Sequence, residues 1–486
     1  MSNVPGVSRQ IPAAPAYRRR RLLWRIGVIS AVAALVVAAG LYVILGREPS
    51  LTDSAGAFDE GLSDIMGRIH TENEKVATEH PDEYKTVLVL LPMSGDVSRT
   101  GMGLETVRHA LQGSYLAQLW RNSERSAPPY IRLLVGDISP DAWADTVEDV
   151  RARVESERIV AATGLGASID ATKRVIDQLG KDKFAMVAAV LTSDELQKSN
   201  ALVRVAPLNS DQAEASVRFA AKAIPALKPV IVMDTNPGDS YSKTLSESFD
   251  KTLAGVVGPK DRIQPLTFDS SVKAAGTIIG NIADTVCTSE ANTVFYAGRA
   301  HHLPSLLRGL SLSRRCAERG INVIAGDDTS ENSRPVPNPI WNDSSGKIRL
   351  YYTALAHSAN ISDGTSTVLA AIKTRFGNGD EKGYVRMFAG ESLDDGHAIM
   401  HHDALYIAIK AIDRYAKESL DTLGPPEVAA MLRSGTISVQ GASGDLVIDR
   451  DGNPLRQSIP VLELTPYGRT IFSTWSSPDP AADPRP

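Results

Sequence analysis

Short apolar runs that close in small or polar residues recur along the chain. They are TVLVLLP (86–92), YIRLLVGD (130–137), IVAATG (159–164), FAMVAAV (184–190), PVIVMD (229–234), NTVFYAG (292–298), INVIAGD (321–327) and IRLYYTA (348–354). Runs of this length bounded by turn formers predict buried strands. Between them the apolar period lengthens to that of a helix, over 103–122, 141–156, 168–180, 210–224, 240–254, 271–287, 301–318 and 400–417. Strand, crossover and strand at this rhythm imply an α/β chain with parallel sheets covered on both faces. In such sheets ligands bind at the carboxyl ends of the strands.

The ends of the chain follow other patterns. Ile26 to Gly46 is a run of 21 uncharged residues; as a helix it spans about 30 Å, the thickness of a bilayer's hydrocarbon core. Arg18, Arg19, Arg20, Arg21 and Arg25 precede it and Arg47 follows, so the positive-inside rule keeps residues 1–25 in the cytoplasm as a disordered basic stub. The apolar core exceeds that of a secretory signal, which predicts an uncleaved transmembrane anchor at 26–46 with everything after it extracytoplasmic. Phe58, Leu62, Ile65, Met66 and Ile69 recur at helical spacing within 47–84, which predicts a short amphipathic helix on a stalk. The Pro-rich end, 471–486, is expected to be a disordered tail, with order stopping near Trp475. Residues 1–46 carry six arginines and no acid, so removing them from the formal charge of −5 leaves −11. An acidic ectodomain argues against nucleic acid as partner.

The loops that follow the strands are LLPMSGDVSRTG, TGLGAS, AVLTSDEL, DTNPGDSY, AGRAHH and AGDDTSE. Small residues and hydroxyls dominate, with few acids. Such loops expose backbone N–H groups and helix N-termini suited to a small anion, and they do not form a catalytic set. A G-x-S-x-G elbow, P-loop, H-E-x-x-H and spaced G-x-G-x-x-G are all missing, so neither an enzyme signature nor a cofactor site is expected.

With these loops the order of elements becomes specific. LPMSGDVSRTGMG, HALQGSYLA, TGLGAS, VRVAPLNSDQAEA, DSYSKTLSESF, FDSSVKAAGTI, AGDDTSE, HHDALYIAIKAI and GASGDLVIDRDGNP occur in that sequence. Taken together, from about Lys85 to Leu464, the chain resembles the type 1 periplasmic binding proteins that feed branched-chain amino acid ABC transporters. Two departures stand out: WRNSERSAPP replaces the glycine-rich turn after the first helix, and the tyrosine-glycine pair of the second lobe reads Tyr241-Ser242. The resemblance implies two doubly wound, mainly parallel sheets joined by three crossovers and closing about a hinge. Lobe 1 would comprise 85–206 plus 357–435, and lobe 2 would comprise 207–356 plus 436–470.

The resemblance also implies a site. Ser168 and Thr192 in lobe 1 match the residues that hold a ligand's carboxylate, although each could instead be a helix cap. Tyr241 and Asp328 in lobe 2 match those that meet its ammonium, with Asp327 able to serve in place of Asp328 and a turn as the alternative for both acids. Ser94 and Gly95 complete the rim, Gly95 for its backbone freedom. Cys287 would end one helix of lobe 2 and Cys316 another, which predicts a disulfide, two buried thiols being the alternative.

Other constellations carry less. His397, His401, His402 and Asp403 have metal-like spacing, but they fall at a helix start where packing and capping suffice. His301-His302 lacks a third ligand, and DRDGN (449–453) reads as a hairpin turn rather than a calcium loop. No metal and no cofactor is therefore expected. Two functions fit: a membrane-anchored solute-binding protein capturing an amino acid or similar small polar ligand for an ABC-type transporter, or a ligand-sensing ectodomain that signals through a partner subunit.

Overall fold

The computed structural model describes residues 50–478, apart from 125–127, 199, 333–340, 342–346, 359–369, 418 and 456–457. The expected stub (1–25), the membrane segment (26–46) and the last residues of the tail (479–486) lie outside these. Among the described residues no helix is long and apolar enough to cross a membrane.

The strands are β1 (Leu51–Thr52), β2 (Tyr84–Leu91), β3 (Tyr130–Asp137), β4 (Ile159–Gly164), β5 (Met186–Ala188), β6 (Leu202–Arg204), β7 (Pro229–Asp234), β8 (Leu266–Phe268), β9 (Thr293–Ala297), β10 (Ile321–Ala325), β11 (Ile348–Thr353), β12 (Ser438–Gln440), β13 (Asp445–Val447), β14 (Ile459–Leu464) and β15 (Thr470–Ser476). Numbering helices of eight residues or more, they are α1 (Ser63–Glu79), α2 (Leu104–Glu124), α3 (Trp143–Arg153), α4 (Asp170–Lys181), α5 (Asn209–Ala223), α6 (Ser240–Val256), α7 (Ala275–Thr288), α8 (Leu303–Leu312), α9 (His397–Ala416) and α10 (Pro425–Leu432).

Two sheets result. One runs β1-β3-β2-β4-β5-β6 and the other β15-β14-β11-β10-β9-β7-β8. Only the outer strands depart from parallel pairing: β1 is antiparallel to β3, and β14 and β15 are antiparallel additions beyond β11. Each sheet has its own buried core, so the α/β fold is two-lobed. The first core takes residues up to Ala206 and again from Ala356 to Ile448, and the second runs from Ala213 to Ala354 and resumes at Val461. The chain therefore crosses between lobes three times. Helical crossovers form because their apolar stripes match the sheet: on α4, Ala171, Val175 and Leu179 are buried at every fourth position, with Thr172 and Ile176 beside them.

Residues 47–84 were expected to be a stalk, yet β1 and α1 are built into the first lobe. Leu62, Ile65, Met66 and Ile69 have the helical period read from the sequence, and all four are buried in the first core. The reason is the outer edge of β3, whose free backbone groups need partners once buried. β1 pairs with Val135 and Gly136. Farther along, side-chain amides take the place of a strand. Asn73 of α1 donates to the carbonyl of Leu133 at 2.6 Å and accepts its N–H at 2.9 Å. Asn122 of α2 does the same for Ile131, at 3.0 and 2.9 Å.

Three further boundaries move. The predicted helix 301–318 breaks at Ser313, whose backbone is extended (ψ 115°), leaving α8 and a short six-residue helix, Arg314–Arg319. The β12–β13 hairpin belongs to the first core rather than to lobe 2, because the Asp403 carboxylate accepts the N–H groups of Ala442 and Ser443, both at 2.8 Å. Ile471 to Ser476, expected to be tail, continue β15 against β14. In lobe 2, Cys287 and Cys316 are joined by a disulfide with 5.1 Å between Cα atoms, buried in the second core.

Replacing Asn73 by Leu is expected to leave the N–H and carbonyl of Leu133 unpaired and to cost about 1–3 kcal/mol per unsatisfied group. Urea unfolding of the variant beside the wild type measures it, and an unchanged midpoint would remove the strand-like role of Asn73.

Candidate functional site

The two switch points of the strand order face one another, and the residues that meet there come from the carboxyl ends of β4 and β5 in lobe 1 and of β7, β9 and β10 in lobe 2. After β7, Asp239 is the N-cap of α6, accepting from the N–H of Tyr241 at 3.2 Å and from the Ser242 hydroxyl at 2.7 Å. After β9 comes Arg299. Its guanidinium grips the same Asp239 with two hydrogen bonds, Nε at 2.9 Å and Nη2 at 2.7 Å. Nη1 donates to Asp328 at 2.9 Å, and Nη2 also donates across the lobes to the carbonyl of Ser168 at 3.0 Å. The plane lies 4.7 Å over the Tyr241 ring.

Arg299 is buried, which opposes its charge, but Asp239 and Asp328 outweigh burial and hold the guanidinium protonated above its usual range. Asp328 is held in turn by the N–H of Ala300 at 2.6 Å, and its own N–H donates to the Tyr241 hydroxyl at 3.3 Å. That hydroxyl lies too close to the position of a Cβ on Gly326, so any other residue there would have to displace Tyr241 and Leu245. Asp327 faces the other way. Its carboxylate accepts from Gln212 at 2.8 Å, and the oxygen of Gln212 accepts from the Thr353 hydroxyl at 2.7 Å.

A second clasp joins the lobes through Glu331, which follows Asp328 in the same turn. It accepts from the Thr106 hydroxyl at 2.6 Å and lies 3.3 Å from His397, both in lobe 1. Behind it, His109 of α2 stands between Asp395 at 2.5 Å and Glu391 at 3.0 Å. Burial disfavours its charge, yet Asp395 and then Glu391 overcome that and push His109 up to about 10. Glu105, His109 and Glu391 bring ligand atoms within 4.8 Å of one another. Both ring nitrogens of His109 are committed to carboxylates, so the cluster lacks the free imidazole lone pair a metal needs.

Ser168, Thr192, Tyr241, Asp327 and Asp328 all line one inner cavity of about 30 Å³, together with Arg299, Glu331 and His397. Ser94 is exposed and stands apart from this group. Gly95 lines a separate outer cavity of about 820 Å³, and its φ of +65° requires the conformational freedom expected of it. Neither hydroxyl of lobe 1 is a helix cap. The N-cap of α4 is Ile169, and the Thr192 hydroxyl is buried without a hydrogen-bond partner among the described residues. His402 bonds to Asp403 at 2.9 Å and His401 to the His397 carbonyl at 2.9 Å, so this group packs as expected, whereas the N-cap of α9 is Gly396 and no side chain caps it. DRDGN is a turn in which Asp449 accepts the N–H groups of Asp451 at 2.8 Å and Asn453 at 2.9 Å.

The sequence reading missed Arg299, Asp239 and Glu331. The signal was present: AGRAHH carries an arginine among loops that bear acids, and those acids need a counter-charge once buried.

No protein-family model matches the chain, and no curated protein matches it. Solved structures do. A leucine-binding protein from Thermotoga maritima superposes with a TM-score of 0.60 at 18% identity, over 81% of this chain and 99% of that one. The substrate-binding protein of a branched-chain amino acid transporter from Streptococcus pneumoniae, in complex with isoleucine, gives 0.58 at 15% identity, over 81% and 99%. A solute-binding protein of an ABC transporter from Rhodopseudomonas palustris, in complex with 3,4-dihydroxybenzoic acid, gives 0.57 at 13% identity, over 82% and 99%. The two-lobed fold expected from the resemblance is thus the observed one.

Burial lifts the carboxyl of Asp327; the Gln212 hydrogen bond opposes this and Asp328 adds to it, so the group is pushed up to about 7. Its unfolded value is about 3.9, so the neutral form is favoured in the fold. That contribution is complete below about pH 4 and is lost as pH rises through about 7. Asp327→Asn keeps an acceptor for Gln212 and removes the titration. Its stability relative to wild type is expected to rise between about pH 4 and 8 in urea unfolding, and a difference that stays flat with pH would show that Asp327 ionises freely.

Proposed function

We propose that this chain is an extracytoplasmic solute-binding protein, tethered through residues 26–46, that captures a small polar molecule between its lobes for an ABC-type permease. The observation that carries this reading is the convergence of loop residues from the carboxyl ends of both sheets on one interlobe cavity, where the Thr192 hydroxyl is buried and unpartnered. Isoleucine and 3,4-dihydroxybenzoic acid in similar folds support a small ligand, an amino acid or an acid of like size. Asp328, expected to partner a ligand's ammonium, pairs here with Arg299 instead.

The membrane tether rests on the apolar run and its flanking arginines. Protease added outside intact cells is expected to release a soluble fragment while a tag on the N-terminus stays protected. An anchor-free product in the medium of untreated cells would show instead that the segment is cleaved.

Ligand binding is checked by a thermal-shift screen of the purified protein against amino acids, amides and small acids. A ligand at 100 times its Kd stabilises by about 2.7 kcal/mol, a shift of a few degrees in a protein of this size. A screen without any shift would count against a solute-binding role.

A further inference from the structure

We infer that Arg299 sets the specificity of the interlobe site: its guanidinium fills the cation position between Asp239 and Asp328, so the site takes a small carboxylic acid without an amine and rejects α-amino acids. The inference deepens the solute-binding reading and rests on it.

The cation position is fully occupied by the protein. A guanidinium has five N–H donors, and four are committed: two to Asp239, one to Asp328 and one to the Ser168 carbonyl. The acceptors are equally engaged. Asp239 also caps α6, and Asp328 also takes the N–H of Ala300. An arriving ammonium would have to displace a buried, bidentate, charge-assisted pair, which is stronger than the monodentate contact it could offer in return. The Tyr241 ring, a second surface that attracts cations, is covered by the same guanidinium.

What the inner cavity still offers is on the lobe 1 side. The Thr192 hydroxyl is buried and unpartnered, and the Ser168 oxygen accepts from the N–H of Ser193 at 3.4 Å, which leaves its own proton to donate. Two hydroxyl donors beside Val190, Leu355 and Met400 suit an acceptor head on an apolar body. A carboxylate without an amine has that form. The remaining volume of about 30 Å³ is near that of one water, so such a ligand enters only as the lobes part.

Matched pairs test this with the full-length protein in detergent: valine with 3-methylbutanoate, leucine with 4-methylpentanoate, and phenylalanine with 3-phenylpropanoate, each read as a melting-temperature shift. The acid of at least one pair is expected to raise the wild-type melting temperature by a few degrees while its amino acid does not. Arg299→Ala is expected to melt several degrees lower, to regain part of the loss in about 10 mM guanidinium, too dilute to denature, and to lose the preference for the acid. Arg299→Lys, which keeps the charge, stands in if the alanine variant does not fold, and should show a weaker preference than wild type. A shift with the amino acid equal to or larger than with its acid overturns the inference, as does no shift with any acid or a preference unchanged in the variants. A response to some other compound in the wider screen would leave the solute-binding reading standing in each of those cases, whereas silence throughout would remove both.

Discussion

The interlobe region is organised by one buried cation. Arg299 lies between Asp239 and Asp328, and each member of that triad also holds a second part of the structure in place. Asp239 starts α6, Asp328 fixes the turn after β10, and Arg299 reaches the Ser168 carbonyl of the opposite lobe. Removing charges from water costs several kcal/mol per ion, and the triad is stable only because every partner is present and hydrogen-bonded. The cost of losing one member therefore spreads into a helix terminus, a turn and the lobe contact together.

The hinge side is bound into the same region. Where the chain first crosses, the N–H of Asn209 donates to the Thr192 carbonyl at 2.7 Å and its side chain donates to the Tyr241 carbonyl at 2.9 Å. Arg204, buried at the end of lobe 1, donates to the Ser193 carbonyl at 3.0 Å, while its backbone N–H meets Gly452 at the third crossing. Burial lowers its guanidinium to about 10, with Asp194 and Asp449 opposing. Gln212 then ties Asp327 to Thr353 at the end of β11, just before the second crossing. The residues flanking Thr192 and Tyr241 are thus hydrogen-bonded to the crossings between the lobes, so the cavity and the crossings share the same hydrogen bonds.

Much of the fold could be read from periodicity, because buried parallel strands are continuous apolar runs and their crossovers repeat every fourth residue. The eight runs from 86 to 354 correspond to β2 to β5, β7 and β9 to β11. The strands that escaped, such as β6 and β8, have three residues and no pattern to display. The integration of α1 escaped for a different reason: its stripe is visible, but the surface that receives it, the outer edge of β3 sealed by Asn73 and Asn122, exists only in three dimensions. Loop positions such as Ser168, Thr192, Tyr241 and Asp328 follow from the strand ends they succeed, and the structure brings them together. Arg299 escaped because its significance lies in two acids sixty and twenty-nine positions away.

Charge balance gives the cleft a character different from that of the chain around it. The sequence beyond residue 46 is acidic, and Asp239, Asp328, Glu331, Asp395 and Glu391 all converge near the lobe contact. Left alone, five carboxylates in that space would repel one another and draw in any cation. Arg299 meets two of them, Arg108 and His109 meet Glu391, His109 also meets Asp395, and His397 meets Glu331. Glu331 and Asp395 outweigh burial to hold His397 above its ordinary range, and burial keeps Asp327 toward its neutral form. The acids are consequently answered from within, and among the described groups lining the inner cavity the Thr192 hydroxyl and Nδ1 of His397 are buried without a hydrogen-bond partner.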